Sequence, residues 1–106
     1  MDIYKLLNIV SDPSRLKILF CLSKRHCNVS ELEMIVGLSQ ANTSEHLKKM
    51  FECGVLDKEQ NGKEVKYFLS EEYLNQCMLF QPLITVFEKH DDGIEINQKM
   101  EDLYES

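Results

Sequence analysis

Four cysteines carry the most reactive side chains of this 106-residue chain, and they stand at Cys21, Cys27, Cys53 and Cys77. No two of them have the CxxC spacing of a zinc or redox motif. In a reducing compartment such scattered cysteines are not a disulfide framework, so each is either a small core residue or part of a sensor. Thiolates bind thiophilic metals and react with oxidants, and these are the two sensing chemistries that the four side chains offer.

Residues 38–50 have the pattern of a helix that enters DNA. Thr43, Leu47 and Met50 recur at helical spacing and give this helix one face to bury. The opposite face carries short or hydrogen-bonding side chains and no large hydrophobe. A helix of this kind buries its apolar stripe and places the polar side chains of its N-terminal end in the major groove.

The side chains that would contact DNA follow from that orientation. Those expected to face base edges are Gln40, Ala41, Asn42, Ser44 and Glu45. Glu45 either accepts a hydrogen bond from a cytosine amine or points at solvent, and His46 is expected to be structural or to face a phosphate. Four lysines are expected to contact phosphates and to set the register of the protein on the duplex: Lys48, Lys49, Lys63 and Lys66.

Three predicted helices precede this stretch and would hold it in place. Residues 2–10 form a short amphipathic helix, and Asp12 as N-cap with Pro13 as first helical residue begins a second, largely buried helix. Ser30 with Glu33 forms a capping box for the third helix, and Gly37 ends it. The order of helix, glycine-containing turn and helix is the spacing of a helix-turn-helix.

A β-hairpin is predicted directly after the DNA-entering helix. Residues 55–59 and 64–69 have the composition of two strands, and residues 60–63 join them. The dipeptide Asn61-Gly62 is the strongest short-range hairpin signal. A hairpin at this place after a helix-turn-helix is a wing.

The C-terminal third is predicted to be helical and acidic. A helical pattern runs from Ser70 to Phe87 with Pro82 inside it, where a proline kinks or restarts a helix, and Gly93 closes the pattern. The remainder forms either a small docking helix or a frayed end. We therefore divide the chain into a winged-helix domain at residues 1–90 and an acidic tail at residues 91–106.

The net charge of −6 at first argues against a nucleic-acid partner. However, residues 1–70 carry ten basic and nine acidic side chains, whereas residues 71–106 carry two and nine. The part assigned to DNA is thus close to neutral, which predicts modest non-specific affinity and dependence on a precise fit. No apolar run is long enough for a membrane span and no signal-peptide pattern is visible, so we expect a cytoplasmic protein with no membrane partner.

The order of these motifs resembles that of the ArsR/SmtB-type transcriptional repressors over about residues 3–90. The motifs that carry the resemblance are Asp12-Pro13-Ser14-Arg15-Leu16, Ser30-Glu31-Leu32, Leu38-Ser39-Gln40, Ser44, His46-Leu47, Gly54-Val55-Leu56 and Gly62-Lys63-Glu64-Val65-Lys66-Tyr67. The resemblance implies an α+β, mostly α, winged helix-turn-helix of about five helices and a two-stranded hairpin. It also implies a homodimer, joined mainly by the first and last helices, that binds a palindromic operator, blocks transcription and is released by an inducer.

The inducer sites of that family do not transfer to this chain as complete sites. The site for arsenic, lead or cadmium needs cysteines in the helix that here contains residues 31–35, and none is present. The zinc site on the last helix needs an Asp-x-His pair and a His-x-x-His pair, but His90 stands alone there. Both sites are therefore excluded.

Thiol chemistry remains as the basis of a sensor. Cys27 and Cys53 resemble cysteines of a cadmium- and lead-responsive branch of the family, although that branch has a further cysteine where this chain has Lys49. Cys21 and Cys77 lie on the two helices that a redox pair joins in other members. A thiophilic metal site, a two-cysteine redox switch and plain core packing are thus three open interpretations of the cysteines.

Two further function classes are less well supported by the sequence. The overall negative charge and Glu45 are compatible with a protein-interaction module that kept the winged-helix fold without binding DNA. An enzyme is disfavoured, because no nucleophile–base arrangement, paired-carboxylate motif or glycine-rich phosphate loop is visible.

Overall fold

The computed structural model describes residues 2–76 and 80–105, which form seven helices and one β-hairpin. In chain order the elements are α1 (Ile3–Ser11), α2 (Pro13–Lys24), α3 (Val29–Val36), α4 (Gln40–Glu52), β1 (Leu56–Asn61), β2 (Glu64–Leu69), α5 (Glu71–Gln76), α6 (Phe80–Glu88) and α7 (Asp91–Tyr104). None of the described helices combines the length and the apolar composition that crossing a membrane requires.

Helix α2 lies at the centre of the fold, and α1, α3, β2 and α7 all pack against it. Four consecutive side chains of α2, from Ile18 to Cys21, are completely buried. A helix that is apolar on almost every side can only be stable when other elements surround it. The predicted buried helix is therefore confirmed, and it is the element on which the other parts of the molecule are held.

The corner between α1 and α2 is built from polar side chains. Asp12 caps α2 as predicted, since its Oδ1 accepts from the backbone N–H of Arg15 at 3.0 Å and Pro13 follows it at the first helical position. The Arg15 guanidinium then donates to the carbonyls of Ile9 and Asn8, at 3.0 and 2.8 Å. These carbonyls lie at the end of α1, so one arginine links the end of α1 to the start of α2.

Helix α3 begins two residues before the predicted position of its capping box. Asn28, not Ser30, is the N-cap, and its side chain accepts from the backbone N–H of Glu31 at 2.8 Å. Glu31, not Glu33, completes the box by accepting from the backbone N–H of Asn28 at 2.9 Å. The prediction was wrong because both pairs have the required spacing, and the strand-like backbone of Cys27 places the helix start at the earlier one. Gly37 ends α3 in the left-handed conformation, as predicted.

The predicted wing is present as the antiparallel pair of β1 and β2. Its turn lies one residue later than predicted, because Asn61 pairs with Glu64 and leaves Gly62 and Lys63 at the tip. Gly62 has a φ of 63° and no non-glycine residue has a positive φ among the described residues, so a glycine occupies the first central position of the turn. The wing is also paired at its base, where Cys27 forms an isolated bridge to Tyr67.

The C-terminal helices differ from the prediction at Gly93. Helices α5 and α6 cover the predicted pattern on either side of residues 77–79, which lie outside the described residues. Gly93 does not close that pattern but is buried inside α7, where a Cβ atom would overlap the carbonyl oxygen of Phe87. The acidic segment after it is a helix, and Ile96 and Met100 on that helix belong to the core.

Candidate nucleic-acid interface

Helix α4 is held at its start by its cap and along one side by the core. Ser39 is the N-cap, and its Oγ accepts from the backbone N–H of Asn42 at 3.1 Å. Thr43, Leu47 and Met50 are completely buried, as predicted from their spacing. The Thr43 hydroxyl donates to the Ser39 carbonyl at 2.8 Å, so this polar side chain is satisfied inside the core. The rotation of α4 about its axis is therefore fixed.

The side of α4 opposite the core is open to solvent. Its exposed side chains are Gln40, Ala41, Asn42, Ser44, Glu45, Lys48 and Lys49. These are the residues expected from the sequence to face bases and phosphates on this helix, and the structure brings them together on one exposed surface. We call this set of seven residues the α4 surface.

His46 is half-buried beside the corner of α1 and α2 and is not part of the α4 surface. It lies close enough to Asp12 to affect its titration. The pKa of Asp12 is lowered mainly by the hydrogen bond from the backbone N–H of Arg15, against an opposing effect of burial, and the Arg15 guanidinium and His46 lower it further. The His46 side chain thus lies on the side of α4 that faces the α1–α2 corner.

The wing presents its lysines beside the C-terminal end of α4. Lys63 is exposed at the tip, and the Lys66 Nζ lies 3.5 Å from Glu64 Oε1. Lys58, which the sequence analysis missed, places its Nζ 4.5 Å from the centre of the Phe51 ring and so joins the wing to the last turn of α4. Lys58 could have been found as a basic residue on a predicted strand. No sequence pattern near it shows that Phe51 would lie beneath its side chain.

A second exposed surface is apolar and lies on α1 and α6. Ile3 is 55% and Val86 70% exposed, although both are large aliphatic residues. Between the two helices runs a groove of about 320 Å³, lined by Leu6, Leu7, Val10, Tyr73, Phe80, Pro82, Leu83 and Val86. Exposed apolar patches of this kind mark protein–protein contacts. We call the surface of α1 and α6 around this groove the α1–α6 surface.

Comparisons with known proteins show to which family the chain belongs. A sequence model of the family described as "Bacterial regulatory protein, arsR family" matches residues 12–58, which include the whole helix-turn-helix. The biofilm growth-associated repressor of Xylella fastidiosa is 31% identical over 86 residues, covering 81% of this chain and 74% of the repressor. The chain belongs to the ArsR family.

Two further similarities extend over most of this ArsR-family chain. The transcriptional regulator CmtR of Mycobacterium tuberculosis is 30% identical over 69 residues, which are 65% of this chain and 58% of CmtR. The alignment thus spans less than two thirds of that relative. The solved structure of CmtR, described as a cadmium metal-sensor, matches with a TM-score of 0.62 and 29% identity, covering 78% of this chain and 84% of CmtR. The structure of the repressor BigR from Xylella fastidiosa matches with a TM-score of 0.68 and 32% identity, covering 80% and 85%.

The cysteines of this ArsR-family chain differ strongly in their surroundings. Cys21 and Cys27 are completely buried, whereas Cys53, just after α4, is half-buried. Burial raises the pKa of the Cys27 thiol to about 11, and it raises the pKa of the Cys21 thiol further. Both thiols therefore keep their protons at neutral pH, and protonated thiols are poor nucleophiles and poor metal ligands. Cys77 lies outside the described residues.

The described residues do not fit a metal centre. Within residues 2–76 and 80–105 no group of three or more His, Cys, Asp and Glu side chains is placed to hold a metal ion. One relative, CmtR, is described as a cadmium metal-sensor. The residues of this chain that the structure describes nevertheless offer only a single accessible thiol, Cys53, on which such an ion could act.

Proposed function

We propose that the chain is a DNA-binding transcriptional repressor that reads its operator with the α4 surface. The observation that carries the proposal is the α4 surface itself, a solvent-facing set of mostly polar side chains without a large hydrophobe, on a helix whose other side is buried in the core. Gln40, Asn42, Ser44 and Glu45 can exchange hydrogen bonds with base edges. Two similar proteins, the biofilm growth-associated repressor and the transcriptional repressor BigR, support a repressor.

The wing and the lysines of α4 have a separate role in this proposal. Lys48, Lys49, Lys63 and Lys66 contact phosphates, which fixes the register of α4 on the duplex without specifying sequence. Phosphate contacts also make the affinity depend on salt. Because Lys66 is paired with Glu64, Lys63 at the tip is the wing lysine whose charge is most available to DNA.

We infer further that two copies of the chain assemble through the α1–α6 surface. A single winged helix contacts few base pairs, whereas a symmetric dimer places two reading helices on two half-sites about one helical turn apart. The α1–α6 surface is apolar and separate from α4, so a second copy can cover it without blocking the DNA-reading side. Replacing the exposed Val86 by Lys is expected to yield monomers in sedimentation, whereas Gln98→Lys on α7 should leave the dimer intact.

The test of DNA reading uses a duplex that the wild-type protein selects from a random-sequence library. The double variant Gln40→Ala and Ser44→Ala is expected to lose specific binding to this duplex in gel-shift assays while remaining dimeric. Gln98→Ala, a matched truncation at an exposed position of α7, serves as the control. Unchanged affinity of the double variant would refute the assignment of the α4 surface. If the wild-type protein selects no duplex even at low salt, DNA binding itself is refuted.

We infer that, among the described cysteines, Cys53 is where a thiophilic ion or an oxidant acts. Its thiol is half-buried near the end of α4, while the other two described thiols are buried and protonated. Operator binding by the wild type and by Cys→Ser variants at all four positions, with and without Cd²⁺ or peroxide, tests this. The Cys53→Ser variant alone should stay bound under treatment. Loss of the response in Cys77→Ser instead would refute Cys53, and no response in the wild type would refute thiol sensing.

A further inference from the structure

The short loop between α2 and α3, residues 25–28, contacts the last turn of α7 on one side. The Arg25 guanidinium lies 3.4 Å from the centre of the Tyr104 ring, within the range of a cation–π contact. The Cys27 Sγ lies 3.8 Å from the Tyr104 hydroxyl oxygen. The same hydroxyl donates to Glu31 Oε2 at 2.7 Å. One tyrosine near the C-terminus therefore contacts both the loop and the first turn of α3.

The other side of the same loop holds the base of the wing. The backbone N–H of Cys27 donates to the Tyr67 carbonyl at 3.1 Å, and the N–H of Tyr67 donates back to the Cys27 carbonyl at 2.8 Å. The His26 ring stacks on Phe68 with 4.6 Å between the ring centres, and its Nδ1 lies 3.1 Å from Glu59 Oε1. Both wing strands are thus attached to the loop, one of them by strand-like pairing.

The contact of Tyr104 with Glu31 is a charge-assisted hydrogen bond, which is stronger than a neutral one. The other oxygen of Glu31 is already engaged in the capping box at Asn28. Burial raises the pKa of Tyr104, and the hydrogen bond to Glu31 raises it further, so the hydroxyl keeps its proton and stays a donor. Tyr104 is only half-buried and is the last residue of α7. It can therefore leave its contacts with Arg25, Cys27 and Glu31 without opening the core.

We propose that Tyr104 is a positioning residue that couples α7 to the wing through residues 25–28. When the last turn of α7 is docked, the Tyr104 contacts fix the loop, and the backbone pairing of Cys27 with Tyr67 passes that position on to β2. When Tyr104 leaves, the loop and the wing base lose this support and the tip at Lys63 moves away from the DNA backbone. The proposal rests on the proposed function, because it assigns Lys63 to a phosphate.

A double-mutant cycle tests the coupling on the full chain and the duplex that it selects. Tyr104→Ala is expected to lower affinity about tenfold, and Tyr104→Phe, which keeps the ring under Arg25, by less. In a background that carries both Lys63→Ala and Lys66→Ala, Tyr104→Ala should cause almost no further loss, because the phosphate contacts of the wing are already gone. In a Gln40→Ala background, the full loss should persist, because Gln40 lies on α4 and its removal leaves the phosphate contacts of the wing in place. Equal losses in both backgrounds would overturn the proposal.

Hydrogen exchange in the absence of DNA provides the second measurement. Tyr104→Ala should speed exchange of the Tyr67 amide about tenfold or more, because that amide is bonded to the loop, while amides in the centre of α2 stay protected. Gln98→Ala, on the same helix, should change neither. Unchanged exchange at Tyr67 would overturn the proposal whether or not the protein binds DNA. Another outcome is faster exchange of the Tyr67 amide in Tyr104→Ala together with a wild-type protein that selects no duplex. In that case the proposed function fails and the step from the wing to the phosphate is overturned. The coupling of α7 to the wing stands.

Discussion

The arginine at the α1–α2 corner gives the sharpest prediction for stability. Arg15 is 8% exposed, and its two hydrogen bonds reach carbonyls that no helical N–H can satisfy, since α1 ends there. The substitution Arg15→Met keeps most of the apolar stem and removes the guanidinium. We expect α1 to lose its fixed attachment to α2 and the domain to unfold more easily.

The size of the loss follows from these contacts. Hydrogen bonds to a charged group contribute about 1.5–3 kcal/mol each, and two are lost. The sum is reduced because the Ser11 hydroxyl also donates to the Asn8 carbonyl, at 2.9 Å, and because the desolvation of the guanidinium is relieved. The ion pair with Asp12 adds little, because the atoms are 4.0 Å apart and 34% of the Asp12 side chain is exposed. We therefore expect the free energy of unfolding to fall by about 3 kcal/mol, out of roughly 5–15 kcal/mol for a typical domain.

Urea unfolding followed by circular dichroism measures this loss. All variants must be compared at one protein concentration, since unfolding of an assembled protein depends on concentration. Arg15→Lys keeps the charge but can donate to only one of the two carbonyls in the original geometry, so its loss should be about half as large. A midpoint for Arg15→Met equal to that of the wild type, with an unchanged slope, would refute the assignment of Arg15 as the link between the helices.

Three further predictions concern thiols, acid and the wing. At neutral pH an alkylating reagent should modify Cys53 well before Cys21 or Cys27, because burial holds the pKa of Cys27 at about 11; peptide mass spectrometry reads the order, and equal rates would contradict it. Because folding lowers the pKa of Asp12, its ionised carboxylate stabilises the fold above the ordinary pKa of 3.8, and this stability disappears as the pH falls through the lowered pKa. Asp12→Asn should therefore lose less stability than the wild type in urea titrations over that acid range. Gly62→Ala places a Cβ at a φ of 63°, which costs about 1 kcal/mol. This variant should bind the selected duplex more weakly and should still form dimers. Unchanged binding would show that the geometry of the wing tip is unimportant.

The sequence predicted those parts of the fold whose signals are local. The cap at Asp12, the left-handed end of α3 at Gly37 and the buried stripe of Thr43, Leu47 and Met50 depend on residues within one or two helical turns. The tip of the wing lies one residue later than predicted. The start of α3 was misplaced by two residues because Asn28 with Glu31 and Ser30 with Glu33 have the same capping-box spacing. Pairing with a distant strand decides between such registers, and a sequence does not show that pairing.

The residues of the candidate site could be predicted from the sequence, but the contacts that hold the site in place could not. The side chains of the α4 surface follow from helical spacing once the buried stripe is known. The contact of Tyr104 with Glu31 joins residues 73 positions apart, and that of Tyr104 with Cys27 joins residues 77 positions apart. Gly93 was misjudged for the same reason, since only the fold shows that the backbone of Phe87 occupies the space of its missing side chain.

The charge distribution explains why the contacts that hold α4 and the wing matter for DNA binding. Residues 1–70, which carry the α4 surface and the wing, have a net charge close to zero, so long-range attraction contributes little to the affinity for DNA. What remains is the match between fixed side chains and the groove, and this match fails when α4 and the wing move relative to each other. Helix α4 packs against α3 and β1, and β2 of the wing packs against α2 and pairs with Cys27 of residues 25–28. An operator affinity that falls strongly with substitutions at these contacts is the behaviour that follows from this arrangement.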